Sequence, residues 1–337
     1  ATANVITAAD IKAMGVTDFS QVMAMIPGVH IYLDPVTRLD AQFSMRGIHT
    51  SDNSQVLVLV NGHDITNVST GSTPFGFRLP VANIARVEVM RSPGSALYGA
   101  DAFAGVINII TKEASEIAGT DIGWRQGSFN TQDIWLRHGT SLNDEWDLAF
   151  SLETSRSDGD DGRIVEYNNE DLLARTPPGP RIAGSGSLET NYDYTNMQMA
   201  LSSVDWQIRL WNWDLKRAGN GQGAAQIVDP EGFTDSELYL FDIQHENRNL
   251  LPDWDVNSRL SYELNEGDTR FVLYPPNTVG KPGGTQRKGT FSLRSHYSGF
   301  DNHSLLLGVG TERVLVKPRE ARNFNTASPT GVMVDVT

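Results

Sequence analysis

The chain contains no cysteine among its 337 residues, which excludes a disulfide framework and zinc or iron–sulfur sites held by thiolates. It also lacks an unbroken apolar run of about 18 residues, so no transmembrane helix is predicted. Basic residues are scarce, 27 against 41 acidic ones, and the net charge of -14 argues against a nucleic-acid partner. Transmembrane β-strands are not excluded by this lack of a long apolar run, because only every second residue of such a strand faces lipid.

Catalytic motifs are absent as well. Gly94 and Gly99 have the spacing of a phosphate-binding loop, but Ala100-Asp101 stands where that loop requires Lys followed by Ser or Thr. Neither HExxH nor GxSxG occurs, and the seven histidines show no metal-ligand spacing. The sequence therefore predicts a protein that is not an enzyme, with no metal site and no cofactor.

One acidic segment combines several carboxylates: Asp158, Asp160, Asp161, Glu166, Glu170 and Asp171. Oxygen-rich loops of this kind can bind calcium. The spacing nevertheless differs from the D-x-[DN]-x-[DN]-G loop. A solvated acidic loop is the favoured interpretation, and calcium binding stays open.

Tryptophan is missing from the first 115 residues, and all seven tryptophans follow them. The first part is also nearly balanced in charge, with 7 basic and 9 acidic residues. Transmembrane strands need aromatic residues at the membrane interface, so the membrane-facing part is expected second. We therefore expect one domain over residues 1–115 and another over residues 116–337.

The first domain has the pattern of a small mixed sheet with short helices. Arg86–Met90 alternates polar and apolar residues, and Val106–Thr111 is a nearly continuous, β-branched apolar strand that should be covered on both faces. Phe43–Ile48 and Gln55–Val60 flank a polar turn, which predicts a hairpin.

The second part alternates apolar and polar residues with a period of two, for example over Trp146–Glu153, Val256–Leu264 and Leu305–Val309. Such strands suit either a barrel wall or a soluble antiparallel sandwich. Short polar turns alternate with long loops, and this asymmetry favours an outer-membrane barrel. A parity shift near Leu210-Trp211 predicts either a bulge or a strand that leaves the membrane there.

Four ordered segments resemble the plug domain of TonB-dependent outer-membrane receptors, which are β-barrel transporters that import scarce nutrients with energy delivered through the TonB protein. The segments are VITAADIKAMGVTDFSQVMAMIPGV, FSMRGI, VLVLVNGHDI and LPVANIARVEVMRSPGSALYGADAFAGVINIITK. Ser92 replaces the family's usual Gly, and Asn61 its commoner Asp. The resemblance implies an α+β plug domain followed by antiparallel transmembrane β-barrel strands in the bacterial outer membrane, in contact with its lipid.

The resemblance also implies about 22 barrel strands. We count about nine in the second part, too few to close such a barrel, and an open sheet in lipid would leave backbone groups unpaired. We therefore expect the N-terminal part of a longer receptor, its ordered part, or one of two chains that complete each other. A degraded receptor is the remaining alternative.

The family's plug loops also imply a substrate-binding surface at the extracellular end of the plug. Its candidate residues here are Tyr32, Arg38, Phe75, Phe77 and Arg78. Aromatic rings and arginines suit a bulky, anionic metal chelate, because they supply flat apolar area and charge-assisted hydrogen bonds. The alternative for Phe75 and Phe77 is packing within the loop.

Arg46 and Arg91 match arginines that hold the plug to acidic residues of the barrel wall in the family, and Glu88 is a candidate member of the same network. A guanidinium inside a barrel needs a carboxylate partner, since unpaired burial is costly. The alternative is an ordinary surface ion pair, which contributes little.

The implied function is TonB-dependent import of a scarce nutrient, with TonB and a small metal chelate as partners. Ferric siderophore is the leading cargo, while haem and cobalamin stay open. One alternative is a non-transporting surface or assembly protein built on the same fold. Another is an import receptor for a glycan or a peptide.

Overall fold

The structure is a computed structural model. It describes residues 3–33, 41–48, 55–168, 170, 183–221, 227–274, 278–300, 302–319 and 324–325. Two sheets dominate it: a mixed sheet formed by the front of the chain, called the plug below, and a large antiparallel sheet, called the wall.

Within the residues that the structure describes, the plug contains seven strands and four short α-helices. The strands are β1 (Ala3–Thr7), β2 (Val29–Leu33), β3 (Ala41–Met45), β4 (Val56–Val60), β5 (His63–Asp64), β6 (Ile84–Met90) and β7 (Gly105–Thr111). The helices are α1 (Ala8–Met14), α2 (Phe19–Ala24), α3 (Ser95–Tyr98) and α4 (Ala114–Ile117), with a single 3-10 turn at Ala100–Ala102. Five strands form one sheet in the order β1-β6-β7-β4-β5, in which only β4 and β7 are parallel.

Local sequence explains the helix ends. The Thr7 side chain accepts a hydrogen bond from the Asp10 backbone while the Asp10 carboxylate accepts one from the Thr7 backbone, a capping box that starts α1. Gly15 ends α1 in the left-handed conformation, at φ 68°. Asp18 and Gln21 form the corresponding capping box at α2.

The plug has an ordinary apolar core. Val58, Val87, Ile107 and Ile109 of the central strands are buried, and α2 packs its Val22 on them. All five residues of β4 are buried, as the run VLVLV predicts for a strand covered on both faces.

The predicted hairpin between the segments at 43–48 and 55–60 is wrong. β3 pairs antiparallel with β2, whereas β4 pairs in parallel with β7 and antiparallel with β5. The fully apolar β4 is stabilised between β7 and β5 of the main sheet, so its nearest long neighbour in sequence, β3, pairs elsewhere. The residues of the predicted turn, 49–54, lie outside the described part of the chain.

Nine strands follow one another in the wall: β8 (Gly119–Gln126), β9 (Gln132–Ser141), β10 (Asp147–Ser157), β13 (Tyr192–Ser202), β14 (Trp206–Gly219), β15 (Phe233–Leu251), β16 (Trp254–Tyr274), β18 (Gly283–Tyr297) and β19 (Leu305–Arg319). Two short strands, β17 (Thr278–Gly280) and β20 (Phe324–Asn325), extend one end of β16, and β11 (Ile164–Asn168) with β12 (Ala183–Ser187) forms a separate hairpin. The predicted count of about nine agrees with these nine wall strands, and the four short strands bring the total described after residue 115 to thirteen. Among the described residues β8 and β19 are unpaired edges, so no ring is closed.

The two faces of the wall are inverted relative to a water-soluble sheet. Polar side chains are buried on the face that meets the plug, among them Ser261, Glu263 and Lys288. Apolar side chains such as Leu260 and Phe241 are exposed on the opposite face. A soluble sandwich would bury its apolar face, so this inversion decides between the two predicted interpretations in favour of a lipid-facing barrel wall.

The ends of the wall differ as predicted. Short turns join β9 to β10, β13 to β14 and β15 to β16, whereas the connections from β10 to β13 and from β14 to β15 at the other end are long; the connection from β8 to β9 at that end is also short. The predicted bulge is misplaced: pairing is regular from Trp206 to Leu215, and the irregularity lies between Leu215 and Ala218, at the long-loop end. No helix in the described part of the chain is long and apolar enough to cross a membrane.

Candidate functional site

The seam between plug and wall is the region where the two units contact each other, and part of it is apolar. Phe77 of the plug lies against Trp211 and Trp213 of β14, with ring centroids 6.4 Å and 5.5 Å apart. Leu215 and Leu238 of the wall belong to the same buried cluster as the plug core. This apolar contact is confined to β14 and its neighbours.

On the β16 and β18 side the seam consists of buried charges. His63 Nε2 lies 2.7 Å from the Glu263 carboxylate, and the Lys288 ammonium group donates to the Asp64 backbone oxygen at 2.5 Å. Lys288 also lies 3.2 Å from the Asp64 carboxylate and 3.9 Å from that of Glu263. Two adjacent plug residues are thus joined to two adjacent wall strands. We call these four residues the charged latch.

Neighbouring polar contacts extend the charged latch along the same strands. Arg259 donates to the backbone oxygens of Gly62 at 2.8 Å and Asn61 at 3.1 Å, and its guanidinium is held by Asp242 at 2.6 Å. Gln286 accepts from the Val68 backbone and donates to the Thr66 oxygen. The plug segment after β4 is therefore fixed mainly through its backbone, which restricts its position on the wall.

The charged latch also sets the ionisation of Asp64. Burial alone raises the pKa of the Asp64 carboxyl group, but the Lys288 charge and hydrogen bonds from Thr66 outweigh that effect and hold the pKa below its ordinary value. Asp64 is therefore a carboxylate at neutral pH. A buried ammonium group and a carboxylate that satisfy each other avoid the large cost of an unpaired buried charge.

Opposite the charged latch, the seam is held by amide and backbone groups. Asn83 donates to Gln198 of β13 at 2.6 Å, and the Arg137 guanidinium of β9 donates to the Ala82 backbone oxygen. Burial and the nearby Arg137 charge lower the pKa of Lys112, which donates to the same oxygen. Two cationic side chains therefore converge on one carbonyl where the plug chain passes into the wall.

A crevice of about 290 Å³ opens at the long-loop end, between the plug loop and strands β16, β18 and β19. Phe75 lines one side of the crevice. A Cβ atom added at Gly267 would be in van der Waals contact with the Phe75 ring. Asn67, Gln286 and Arg319 supply polar groups to the same crevice. A concave space with aromatic and polar walls suits a small solute.

Arg78 and Tyr192 lie at the same end. The Arg78 guanidinium carbon is 4.4 Å from the centre of the Tyr192 ring, and the Arg78 backbone oxygen accepts a hydrogen bond from Trp213 Nε1 at 2.8 Å. Tyr192 in turn stacks with Tyr194, with centroids 5.8 Å apart. Arg78 is thus positioned by two wall strands.

The structure brings together three of the five predicted substrate residues, Phe75, Phe77 and Arg78, on one loop that faces the wall. Tyr32 is half-buried near the end of β2, and Arg38 lies outside the described part of the chain. Phe77 packs on tryptophans of the wall, which is the packing alternative stated for it. Substrate contact by these residues stays a prediction.

The predicted latch residues make their recorded contacts inside the plug. Arg91 donates to the Pro27 oxygen at 2.5 Å and to Asn4 at 2.8 Å, and Glu88 accepts from Arg86 at 2.8 Å. Arg46 is exposed, with Nη1 3.5 Å from the Phe103 oxygen. In the described part of the chain none of these contacts reaches the wall, and the latch role stays a prediction.

The sequence analysis missed the charged latch. Glu263 and Lys288 both occupy the polar parity of their strands, so the alternation places each on the face opposite its strand's apolar residues, but it does not say which face is inward. Their pairings with His63 and Asp64 span 200 and 224 residues of chain, and no spacing rule reports such contacts. Among the described residues no group of side chains suits a metal ion, and Asp171 of the acidic segment lies outside them.

Comparison with known proteins shows which family and which solved structures this chain resembles. Residues 1–106 match the family described as TonB-dependent Receptor Plug Domain. The vitamin B12 transporter BtuB of Vibrio cholerae is 29% identical over 166 residues, which make up 49% of this chain and 26% of BtuB. The ferric citrate transporter FecA aligns with a TM-score of 0.70 at 15% identity, over 98% of this chain and 50% of FecA. The ferric yersiniabactin uptake receptor FyuA of Yersinia pestis aligns with a TM-score of 0.65 at 16% identity, over 96% of this chain and 49% of FyuA.

The resemblance predicted from the sequence is confirmed. The chain carries the plug of a TonB-dependent outer-membrane receptor, followed by antiparallel strands of the barrel fold that these neighbours share. This places the protein in the bacterial outer membrane. The chain spans about half the length of the solved structures that it matches. These relatives and neighbours are named as transporters and receptors.

Proposed function

We propose that the protein imports a scarce nutrient across the outer membrane, with residues 1–115 as a gate and residues 116–337 as part of the surrounding barrel. The observation that carries this proposal is the seam: the plug contacts the wall through hydrogen bonds and buried ion pairs on both sides of the apolar contact at β14. Polar contacts of this kind can exchange with water when the plug moves. An apolar seam would expose its surface at a large cost.

TonB is the proposed source of the force that moves the plug, acting from the periplasmic side. The short-turn end of the wall corresponds to that side, and the crevice beside Phe75 opens at the opposite, extracellular end. Cargo would bind in the crevice first and pass along the seam after the plug is displaced. The proposed substrate residues are those of the extracellular plug loops: Tyr32, Arg38, Phe75, Phe77 and Arg78.

The proposed cargo is a metal chelate, with a ferric siderophore as the leading candidate. Structural neighbours are named for ferric citrate and ferric yersiniabactin, and curated relatives for vitamin B12. All three are metal complexes. The loop's aromatic and guanidinium groups supply contacts for such a complex.

The test tethers the plug to the wall with an engineered disulfide, and the chain has no cysteine of its own to interfere. Asn83→Cys with Gln198→Cys places two thiols where the native side chains contact each other. In cells, the oxidised double variant should bind chelate and lose uptake, and a reductant should restore uptake. Each single variant is the matched control and should transport under both conditions.

Uptake must also stop in cells that lack TonB while surface binding persists. Uptake that continues without TonB, or in the oxidised double variant, would overturn the proposal. Binding with no uptake under any condition would instead favour the non-transporting surface protein. Uptake of a glycan or peptide, with no chelate taken up, would favour the third candidate function.

A further inference from the structure

Hydrogen bonding is satisfied unevenly along the seam. On the inner face of β9 and β10, five buried polar atoms have no hydrogen-bond partner among the described residues: Trp135 Nε1, Arg137 Nε, Ser151 Oγ and both carboxylate oxygens of Glu153. On the inner face of β16 and β18 a single atom of the described residues is in this state, Nδ2 of Asn265. Because a buried polar group without a partner costs free energy, the plug is docked less favourably on β9 and β10 than on β16 and β18.

The unsatisfied atoms of β9 and β10 lie side by side. Glu153 is directly opposite Trp135 across the two strands, and Ser151 is directly opposite Arg137. The Cβ atoms of such opposite residues are about 4.5–5.5 Å apart, and their side chains share one face of the sheet. Ser151 and Glu153 are each 1% exposed. We call these four residues the unsatisfied patch.

Open space adjoins the unsatisfied patch. A cavity of about 30 Å³ between plug and wall is lined by Ser151, Asn83 and Arg209, among others, and such a volume admits about two water molecules. The side-chain oxygen of Asn83 and Nη1 of Arg209 also have no hydrogen-bond partner in the described part of the chain. A wider crevice of about 430 Å³ shares Arg209 with this cavity and reaches the short-turn end at Gln207. This side of the seam is therefore loosely filled as well as under-bonded.

The seam along β16 and β18 has the opposite character. The four residues of the charged latch satisfy one another there. Ser261 of β16 is as deeply buried as Ser151, at 1% exposed, but it shares a hydrogen bond with Thr290 of β18. Gln286 binds two backbone groups of the plug on the same side. The firmest attachments of the plug in the described structure thus lie along β16 and β18.

We propose that the plug separates from the wall first along β9 and β10, while the charged latch still holds it, and that the unsatisfied patch is the polar site that cargo contacts on its way to the periplasm. The inference rests on the proposed import function and gives the route of the cargo. The patch combines carboxylate and hydroxyl acceptors with indole and guanidinium donors, so hydroxyl, amide and carboxylate groups of a cargo all find partners on it. Cargo from the crevice at the long-loop end would move to this side, because Gln286 and the charged latch close the seam along β16 and β18.

The two buried serines provide a matched test. Ser151→Cys and Ser261→Cys each place one thiol in a chain that has no other. Cells are given ferric citrate, a ferric tricatecholate and cyanocobalamin in turn, and thiol labelling by a small, charged maleimide is measured with each probe that the wild type takes up. During uptake Ser151→Cys should be labelled about tenfold faster than Ser261→Cys, the ratio expected if one unpaired buried group weakens docking on its side. Without TonB or without the probe, labelling of Ser151→Cys should fall to the level of Ser261→Cys.

A second measurement does not depend on import. Detergent-solubilised protein is titrated with urea, and the reactivity of the thiol is followed in each variant. The thiol of Ser151→Cys should become reactive at a lower urea concentration than that of Ser261→Cys, because β9 and β10 lose the plug before global unfolding exposes β16.

The outcomes separate the two proposals. Equal urea dependence of the two thiols, or earlier reaction of Ser261→Cys, would overturn the inferred route whatever the cells import. Labelling of both thiols alike during uptake, or of neither, would overturn it while leaving import intact. Earlier reaction of Ser151→Cys in urea, with none of the three probes taken up by the wild type, would uphold the order of plug release and count against import.

Discussion

The plug and the wall follow opposite rules of burial in one chain. The plug buries Val87 and Ile107 in an apolar core, as soluble domains do. The wall buries Glu263 and Lys288 and exposes Leu260. The difference shows that burial in this protein follows the solvent that each surface meets: water surrounds the plug, and lipid surrounds the wall.

The comparison also explains the character of the seam. A wall that directs its apolar residues to lipid has mainly polar residues left for its inner face. The plug therefore docks on hydrogen-bonding groups, and each must find a partner or remain hydrated. The charged latch is the most deeply buried example of such partnering.

The largest loss of stability is expected from removing a buried charge on the inner face of the wall. Lys288→Met should destabilise the docked plug by about 3–5 kcal/mol, because Glu263 and Asp64 then lose their buried cation. Urea unfolding of the detergent-solubilised protein measures the change. The control is Lys216→Met: the Lys216 side chain is 71% exposed, and its ion pair with Asp214 should contribute no more than about 1 kcal/mol. Equal shifts for both lysines would contradict the role of the charged latch.

The lipid face offers the next largest effect. Leu260→Arg should cost about 2–4 kcal/mol of unfolding free energy for protein folded into lipid vesicles, since the charge then faces hydrocarbon. Val5→Arg changes an equally exposed apolar residue of the plug and should stay within about 0.5 kcal/mol. If both variants were tolerated alike, the wall would not face lipid.

A smaller effect is expected where the two units are joined. A Cβ atom on Gly139 of β9 would overlap the Ala114 carbonyl oxygen and crowd Ile117 of α4. Gly139→Ala should therefore cost about 1–3 kcal/mol, visible as a lower thermal midpoint. Gly308→Ala in β19 is the control, because its nearest atom outside the adjacent residues would lie 3.9 Å away. An unchanged midpoint for Gly139→Ala would show that the junction is not tightly packed.

The smallest effect concerns acid stability. The pKa of Asp64 is lower in the folded protein than in the unfolded chain, so its stabilisation is complete above the ordinary carboxyl pKa, about 4, and is lost as pH falls through the lower folded value. Plug release titrated from about pH 5 downward should therefore be less steep in Asp64→Asn than in the wild type. Lys216→Met should keep the wild-type profile, and an identical profile for Asp64→Asn would remove Asp64 from the charged latch.

Much of the fold could be read from the residues. The capping residues Thr7 and Asp18, the apolar run of β4 and the alternation in the wall strands are local signals, because helix ends and strand faces depend on neighbours close in sequence. The strand count and the asymmetry of the loops follow from the same local pattern. The hairpin prediction failed because two strands, β3 and β7, were available to pair with β4. Local sequence does not indicate which of these pairings is the more stable.

By itself the sequence determined which residues share a face of each strand, since side chains alternate with a period of two whatever surrounds them. It did not determine which face is buried, because the same alternation suits a soluble sandwich and a lipid-facing wall. Only the tertiary structure decided that question and paired His63 with Glu263 and Asp64 with Lys288. Such contacts form when the plug docks against the wall, and their geometry depends on how whole sheets pack together.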